Sequence, residues 1–77
     1  MEELTFGQKA VGLTFNPSSS DVVTQLKQHY ADIIDLLDDV RQITEDPEVR
    51  RLTSVAITEA QTAQMWAVKA VTWNLAK

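Results

Sequence analysis

Apolar side chains recur every three or four residues through the middle of the chain. The members of this series are Leu26, Tyr30, Ile33, Leu37 and Val40. The spacing places them on one face of an α-helix, as in a coiled-coil seam, and predicts a first long helix over residues 18–44. Because Pro17 disfavours helical backbone at the residue before it, we expect this helix to begin after that break, near Ser19.

A second helix is predicted to follow after a short turn. Asp46 has a side chain suited to capping a helix start, Pro47 fits the first helical position, and Glu48 suits the positive end of the helix dipole. No glycine or later proline interrupts the remaining chain, so the second helix should cover residues 47–76. Two long helices joined by a short turn predict an antiparallel hairpin, in a single all-α domain over residues 1–77.

The second helix has more apolar surface than one partner helix can cover. Small residues at spacings of four and three predict the face that packs against the first helix: Ala56, Ala60, Ala63, Ala67 and Ala70. Other side chains lie off this alanine seam: Ile57, Gln64, Trp66, Val68, Val71 and Trp73. Large exposed apolar surfaces are uncommon in soluble monomers, so we expect these faces to contact other copies and the protein to be a homo-oligomer.

Chain length and composition strengthen the prediction of an oligomer. A core of 77 residues contributes only about 3–5 kcal/mol, and a disulfide, a metal or a partner chain usually adds to it. The sequence has no cysteine and a single histidine, His29, which argues against disulfides and zinc sites. We therefore expect no metal and no cofactor, and partner chains remain as the source of extra stability.

Charge and hydropathy narrow the range of partners. The net charge of −4 argues against a surface that follows a long nucleic acid, whereas a small anion held by a few basic groups is compatible with it. No stretch reaches about 18 uncharged apolar residues, and the first residues lack the pattern of an export signal. We expect a protein that does not enter a membrane and acts in the cytoplasm.

Catalytic motifs are nearly absent from the chain. It has no HExxH, no glycine-rich phosphate loop and no nucleophile elbow, so we expect a protein that is not an enzyme. Four aspartates follow one another along the first helix: Asp32, Asp35, Asp38 and Asp39. Such a run is typical of a solvated helix face, and a divalent cation site is the less favoured alternative.

Several basic and aromatic residues are candidates for binding a ligand. Arg50 and Arg51 stand in the first turns of the second helix, where a phosphate and the nearby acidic side chains are equally suitable partners. Lys69 is isolated in an uncharged stretch, so it must reach water, pair with a carboxylate or bind an anion. Trp66 and Trp73 can stack on bases, although aromatic residues at helical spacing more often pack in a core.

Residues 1–17 differ in composition from the rest of the chain. They contain both glycines and both phenylalanines, Phe6 and Phe15, in a segment too short to form a core of its own. We expect a short helix over residues 3–10 that packs across the hairpin of this chain or of a neighbour. A ligand site is expected in this N-terminal segment.

Three segments together resemble the phage hairpin-domain family that holds anti-CBASS and anti-Thoeris sponge proteins. They are AVGLTFNPSSSDVV, LKQHYADIIDLL and RRLTSVAITEAQTAQMWAVKAVTW, and the most specific part is the run Gln61–Ala70. The resemblance implies helical oligomers, commonly hexamers, that bind cyclic oligonucleotides or cyclised ADP-ribose signals in the host cytoplasm without cleaving them. Host defence effectors then stay inactive by mass action.

The resemblance also implies a site near the start of the first long helix. In one branch of the family, a Gly-Tyr-Arg stretch before that helix and a lysine within it hold a cyclic dinucleotide. Here Gly12-Leu13-Thr14 occupies the stretch and Lys27 matches the lysine, but the tyrosine ring is missing and a phenylalanine must replace it. The ligand-binding residues implied in this way are Phe6, Gly12, Leu13, Thr14, Phe15, Asn16, Lys27, Arg51 and Lys69.

Two hypotheses of other classes stand beside the sponge. One is a helical hairpin that docks onto a host or phage protein, with Trp66 and its neighbours forming the groove. The other is a phosphodiesterase that uses Mg²⁺ at the acidic run. Cyclic dinucleotides, cyclic trinucleotides and cyclised ADP-ribose all remain open as the ligand of a sponge, and so does the number of pocket types.

Overall fold

The computed structural model describes residues 3–17 and 20–76, and these residues form helices and no strand. The elements are α1 (Phe6–Ala10), α2 (Asp21–Ile43), α3 (Pro47–Val71) and a 3-10 helix (Trp73–Ala76). The two long helices pack against each other, and α1 packs on α2 of the same chain. The prediction of an all-α chain with a short first helix and a long helical hairpin is therefore confirmed.

The turn between α2 and α3 is built as its sequence predicts. The Asp46 side chain accepts a hydrogen bond from the Glu48 backbone N–H at 2.9 Å, and Pro47 is the first residue of α3. The Arg50 guanidinium donates to the backbone carbonyl of Thr44 at 2.9 Å, which closes the turn from the other side. These local contacts satisfy backbone groups that the two helix ends leave unpaired.

The outer ends of the long helices differ from the predicted ends. Helix α2 begins at Asp21 with Ser20 as its cap residue, and the predicted start at Ser19 lies outside the described residues. Helix α3 ends at Val71 and is followed by the 3-10 helix Trp73–Ala76, instead of continuing as an α-helix to residue 76. There the Thr72 hydroxyl donates to the Val68 carbonyl at 2.7 Å, and the backbone leaves the α-helical conformation.

The face of α2 that packs inside the chain is shifted from the predicted seam. Its buried residues are Val23, Lys27, Ala31 and Ile34. Ile33, which the pattern placed in the seam, is 50% exposed. The periodicity marks the largest apolar side chains, but α2 is covered by α1 as well as by α3, and α1 approaches the backbone of α2 closely at Ala31.

The alanine seam predicted for α3 is only partly the face that packs in the hairpin, since Ala60 packs against the core but other members do not. Ala63 and Ala70 are exposed, whereas Thr53, Ile57 and Gln64 are buried. Ile57 belongs to the same core cluster as Ala31 and Ile34 of α2 and Val11 after α1. The core thus combines a large side chain of α3 with both a small and a large side chain of α2, which differs from the predicted packing of small α3 residues against large α2 residues.

The hairpin and α1 form a layer about as thick as one helix. The extents of the chain along its principal axes are 48, 29 and 12 Å, and an α-helix with its side chains is roughly 10–12 Å across. Much of each helix therefore has no covering layer. Within the described residues, no helix combines the length and the apolar character needed to cross a membrane.

Candidate binding cleft

A buried lysine is the central feature of the candidate site. Lys27 is only 6% exposed, and its ammonium donates to the backbone carbonyl of Gly12 at 3.0 Å and to that of Phe15. The Phe15 ring lies over the same ammonium, 5.6 Å from it to the ring centroid. The ion pairs among the described residues do not include Lys27, so its positive charge is held by dipoles and a π face without a carboxylate.

The turn after α1 presents these carbonyls to Lys27. Gly12 has a φ of 62°, a left-handed conformation that other residues adopt at a cost. The Leu13 N–H donates to the Gln8 carbonyl at 2.9 Å, and the Phe15 N–H donates to the Gly12 carbonyl at 2.9 Å. The Asn16 amide then donates to the backbone carbonyl of Ser20 at 2.9 Å, which joins the turn to the start of α2.

Next to Lys27 lies a cleft of about 320 Å³, near the lower end of the range for small-molecule sites, roughly 300–1,000 Å³. Most of its walls are apolar, and its polar groups come from a few side chains of α2, α3 and the preceding turn. The lining residues are Phe15, Asn16, Pro17, Val23, Lys27, Gln64, Met65, Val68 and Thr72. An apolar cleft with a few convergent polar groups is typical of a ligand site.

The structure brings part of the predicted site together at this cleft. Phe15, Asn16 and Lys27 line it, and Gly12 supplies a carbonyl to the lysine. Leu13 is partly buried against the core instead, and its role is to hold the turn in place. Thr14 is exposed and does not line the cleft.

Two other predicted site residues lie away from the cleft within one chain. The Phe6 ring lies 5.5 Å from the guanidinium carbon of Arg41. Arg51 pairs with Glu48, with 2.5 Å between Nε and a carboxylate oxygen, and this hydrogen bond raises the pKa of the Arg51 guanidinium above its ordinary value. About 20 Å of helix separates Arg51 from Gln64 in the cleft.

Lys69 lies on a separate, open surface. Its ammonium is 5.3 Å from the centroid of the Trp66 ring, and both side chains line a shallow hollow with Ala70, Trp73 and Asn74. Trp66 and Trp73 are each about two-thirds exposed, so neither is part of the core of this chain. This Trp66–Lys69–Trp73 surface offers aromatic faces and one cation.

Gln64, Met65 and Thr72 are cleft residues that sequence reasoning did not select. Gln64 was assigned to the contacts between copies because it lies off the alanine seam. The signal that could have identified it is its four-residue spacing from Ala60 and Val68, which places all three on one side of α3. Lys27 of α2 lines the same cleft and supplies a cation that faces this side of α3.

The aspartates of α2 are engaged separately. Asp35 accepts from the Gly7 N–H at 2.7 Å, Asp38 pairs with Arg41 at 2.8 Å, and Asp32 accepts from the Gln28 amide at 2.7 Å. Among the described residues, no group of three or more carboxylates or imidazoles is placed to hold a metal ion. Three of the four aspartates of the acidic run thus make separate structural contacts.

Comparison with known families gives one match. A family model described as Acb2/Tad1, hairpin domain, matches residues 8–72, which is most of the chain. The match covers the turn after α1, both long helices and every residue that lines the cleft. Searches of curated proteins and of solved structures gave no match.

Proposed function

The chain belongs to the Acb2/Tad1 hairpin-domain family of anti-CBASS and anti-Thoeris sponge proteins, and from this premise we propose that it sequesters cyclic nucleotide signals without cleaving them. The signal is a cyclic dinucleotide or trinucleotide of CBASS, or a cyclised ADP-ribose of Thoeris. Binding takes place in the cytoplasm of the host of a phage. Each bound molecule is withheld from the effector that it would activate, so inhibition depends on the affinity and on the number of pockets.

The observation that carries the proposal is the buried ammonium of Lys27 at the wall of an apolar cleft. A buried charge without an opposite charge is costly, and an anionic ligand in the cleft would supply that charge. Lysine is a suitable point charge for a phosphate, and the Phe15 ring offers a stacking face in place of the tyrosine found in one branch of the family. A nucleotide carries the phosphate and the base that such a site needs.

We propose that the pockets are completed by other copies in a homo-oligomer, a hexamer as is common in the family. Large apolar side chains are exposed along the hairpin, among them Ile33, Leu36, Ile43, Leu52 and Trp66. The chain has 5,633 Å² of accessible surface, whereas a globular monomer of this mass has roughly 4,700 Å². Covering these faces with other copies of the chain would bury the exposed apolar side chains and reduce the excess accessible surface.

Arg51, Lys69 and Phe6 enter the proposal through this assembly. Each lies away from Lys27 in one chain, so each can reach a bound ligand only from a neighbouring copy. Because every interface repeats in a symmetric oligomer, one contact of this kind would recur at every pocket. Release of Arg51 from Glu48 would provide a guanidinium for a bidentate phosphate contact.

The experiment is isothermal titration of the purified protein with cyclic dinucleotides, cyclic trinucleotides and cyclised ADP-ribose species. Bound ligand is then released by heat and analysed by chromatography. Binding with intact recovery supports a sponge, whereas recovery of cleaved ligand would establish a phosphodiesterase. No binding across the panel would refute the proposal.

The exposed Trp66–Lys69–Trp73 surface favours one alternative, a hairpin that docks onto a host or phage protein. A docking protein must keep this surface accessible in the absence of its partner, whereas a closed oligomer buries it. The emission maximum of tryptophan in the purified protein separates the two. Emission typical of water-exposed indole would favour docking, and a shift to shorter wavelength would favour the oligomer.

A further inference from the structure

Gln64 combines burial with an amide that lacks a partner. The residue is 6% exposed, and among the described residues the structure gives its side chain no hydrogen bond, although its neighbours Gln61 and Thr62 each donate to a backbone carbonyl. In the same part of the chain no fully enclosed side-chain nitrogen or oxygen is unsatisfied. The small exposed part of Gln64 therefore includes its amide, and Gln64 lines the cleft.

An amide in this position loses part of its hydration and gains no hydrogen bond among the described residues, although its exposed part still reaches the cleft. Buried polar side chains are nearly always paired, and each exception calls for a reason, such as a bound ligand. An apolar residue of similar size would fill the same place on α3 without this cost. The amide of Gln64 is thus better explained by what enters the cleft than by the packing of the hairpin.

The surroundings of Gln64 restrict what can enter. Lys27 of α2 and Gln64 of α3 line the same cleft, with Val23, Met65 and Val68 among its apolar walls. The Lys27 ammonium has three N–H groups, of which the carbonyls of the preceding turn occupy two. The volume of about 320 Å³ suits one nucleotide unit, with its base between apolar walls and its phosphate near the cation.

We infer that Gln64 selects the base of the bound nucleotide and that the base is adenine. The inference rests on the proposed function. A glutamine amide donates through its nitrogen and accepts through its oxygen, and adenine offers the matching acceptor N7 beside the N6 donor. The corresponding edge of guanine has two acceptors, N7 and O6, which leaves the amide oxygen of Gln64 without a donor.

The test compares three probes on the full-length protein: cyclic di-AMP, its 7-deaza analogue and cyclic di-GMP. The 7-deaza analogue lacks only the N7 acceptor of each base. We expect cyclic di-AMP to bind about tenfold or more tightly than either of the other two probes. Each of those probes lacks a hydrogen-bond partner for the Gln64 amide. Equal or tighter binding of cyclic di-GMP, or undiminished binding of the 7-deaza analogue, would overturn the inference.

A pair of variants tests the residue itself. Gln64→Met keeps the length of the side chain and removes the amide, and Gln61→Met makes the same change one turn earlier, at a residue that does not line the cleft. We expect Gln64→Met to lose the preference for cyclic di-AMP while its melting temperature stays equal or rises, and Gln61→Met to keep the preference. A preserved preference in Gln64→Met would overturn the role of Gln64.

The outcomes separate this inference from the proposed function. If no cyclic nucleotide of the wider panel binds, both fail together. If the protein binds cyclic di-GMP or the 7-deaza analogue as well as cyclic di-AMP, the sponge stands and the adenine contact of Gln64 is rejected. The probe series requires no mutation, so the inference stays testable even if Gln64→Met does not fold.

Discussion

The Gly7 backbone N–H donates to a carboxylate oxygen of Asp35 at 2.7 Å, and this bond ties α1 to the middle of α2. The two helices approach so closely that a Cβ on Gly7 would lie 2.1 Å from the carbonyl oxygen of Ala31. The turn that follows α1 delivers the Gly12 and Phe15 carbonyls to the ammonium that borders the cleft. The position of α1 on α2 therefore sets the position of the cleft wall.

Gly7→Ala should destabilise the protein, because the added methyl group meets backbone and not a movable side chain. Overpacking of this kind typically costs about 1–3 kcal/mol, and we expect the upper part of that range. Urea denaturation measures the change, with Lys9→Ala on the exposed side of α1 as the control. Equal stability of Gly7→Ala and the control would contradict the close approach of α1 and α2.

Asp35→Ala should weaken the attachment of α1 more than Asp32→Ala does. Asp35 accepts a hydrogen bond from another element, whereas Asp32 is exposed and accepts from Gln28 one turn before it in the same helix. Loss of a hydrogen bond to a charged group costs about 1.5–3 kcal/mol when partly buried. Amide hydrogen exchange in residues 6–13 should rise in Asp35→Ala alone, and equal exchange in the two variants would count against this contact.

Lys27→Met should reduce the affinity for a phosphate-bearing ligand by about tenfold to a hundredfold, the usual range for one charge-assisted hydrogen bond. The change also frees two backbone carbonyls, so the turn around Gly12 should become more mobile. The oligomer should keep its size, because Lys27 is buried within its own chain. Titration measures the affinity and light scattering measures the oligomer size, with Lys9→Met as the control that also loses one charge. Unchanged affinity in Lys27→Met would remove Lys27 from the site.

Arg51→Ala should weaken ligand binding without lowering the melting temperature. Its pair with Glu48 is exposed, and such pairs contribute little to stability. Glu48→Gln is the complementary change, since it releases Arg51 and should leave binding equal or stronger. Wild-type affinity in Arg51→Ala would show that no neighbouring copy brings this guanidinium to the pocket.

Trp66→Glu should dissociate the oligomer while the helical hairpin remains intact. The indole is mostly exposed in one chain, so its loss removes little of the internal core. A carboxylate buried between copies would instead meet a large desolvation cost. Sedimentation velocity measures the oligomer size, and circular dichroism measures the helix content. The control is Gln25→Glu, which adds the same charge at an exposed position of α2. Unchanged oligomer size in Trp66→Glu would exclude this surface from the interface.

The elements that local sequence determines were predicted well. Asp46 and Pro47 start α3 as their side-chain chemistry requires, and the apolar periodicity correctly identifies two long helices. The faces that pack together were predicted only in part, since Tyr30, Leu37 and Ala60 pack against the core whereas Ile33 and Ala63 are exposed. The apolar periodicity of α2 carries no information on α1, which lies close to the backbone of α2 at Ala31 and covers α2 together with α3.

The candidate site was predicted only in part, because it also depends on contacts between elements that are distant in the sequence. The family resemblance identified Lys27, and the neighbouring turn follows from chain proximity. Burial of that lysine by the carbonyls of Gly12 and Phe15 could not be read from periodicity, which treats a lysine as a surface residue. Gln64 escaped selection because its role depends on which residues face it across the hairpin, and the predicted alanine seam placed it on the wrong side.

The 12 Å thickness of the chain has a consequence for its behaviour in a cell. A layer one helix thick has little interior, so in the proposed homo-oligomer the copies stacked against its faces would add to its apolar burial. Assembly would then stabilise the folded hairpin further, and the melting temperature should rise with protein concentration. If the chain acts as the proposed oligomeric sponge, a newly infected cell with few copies of it would hold mostly unassembled protein, and the capacity for the signal would rise steeply as synthesis proceeds.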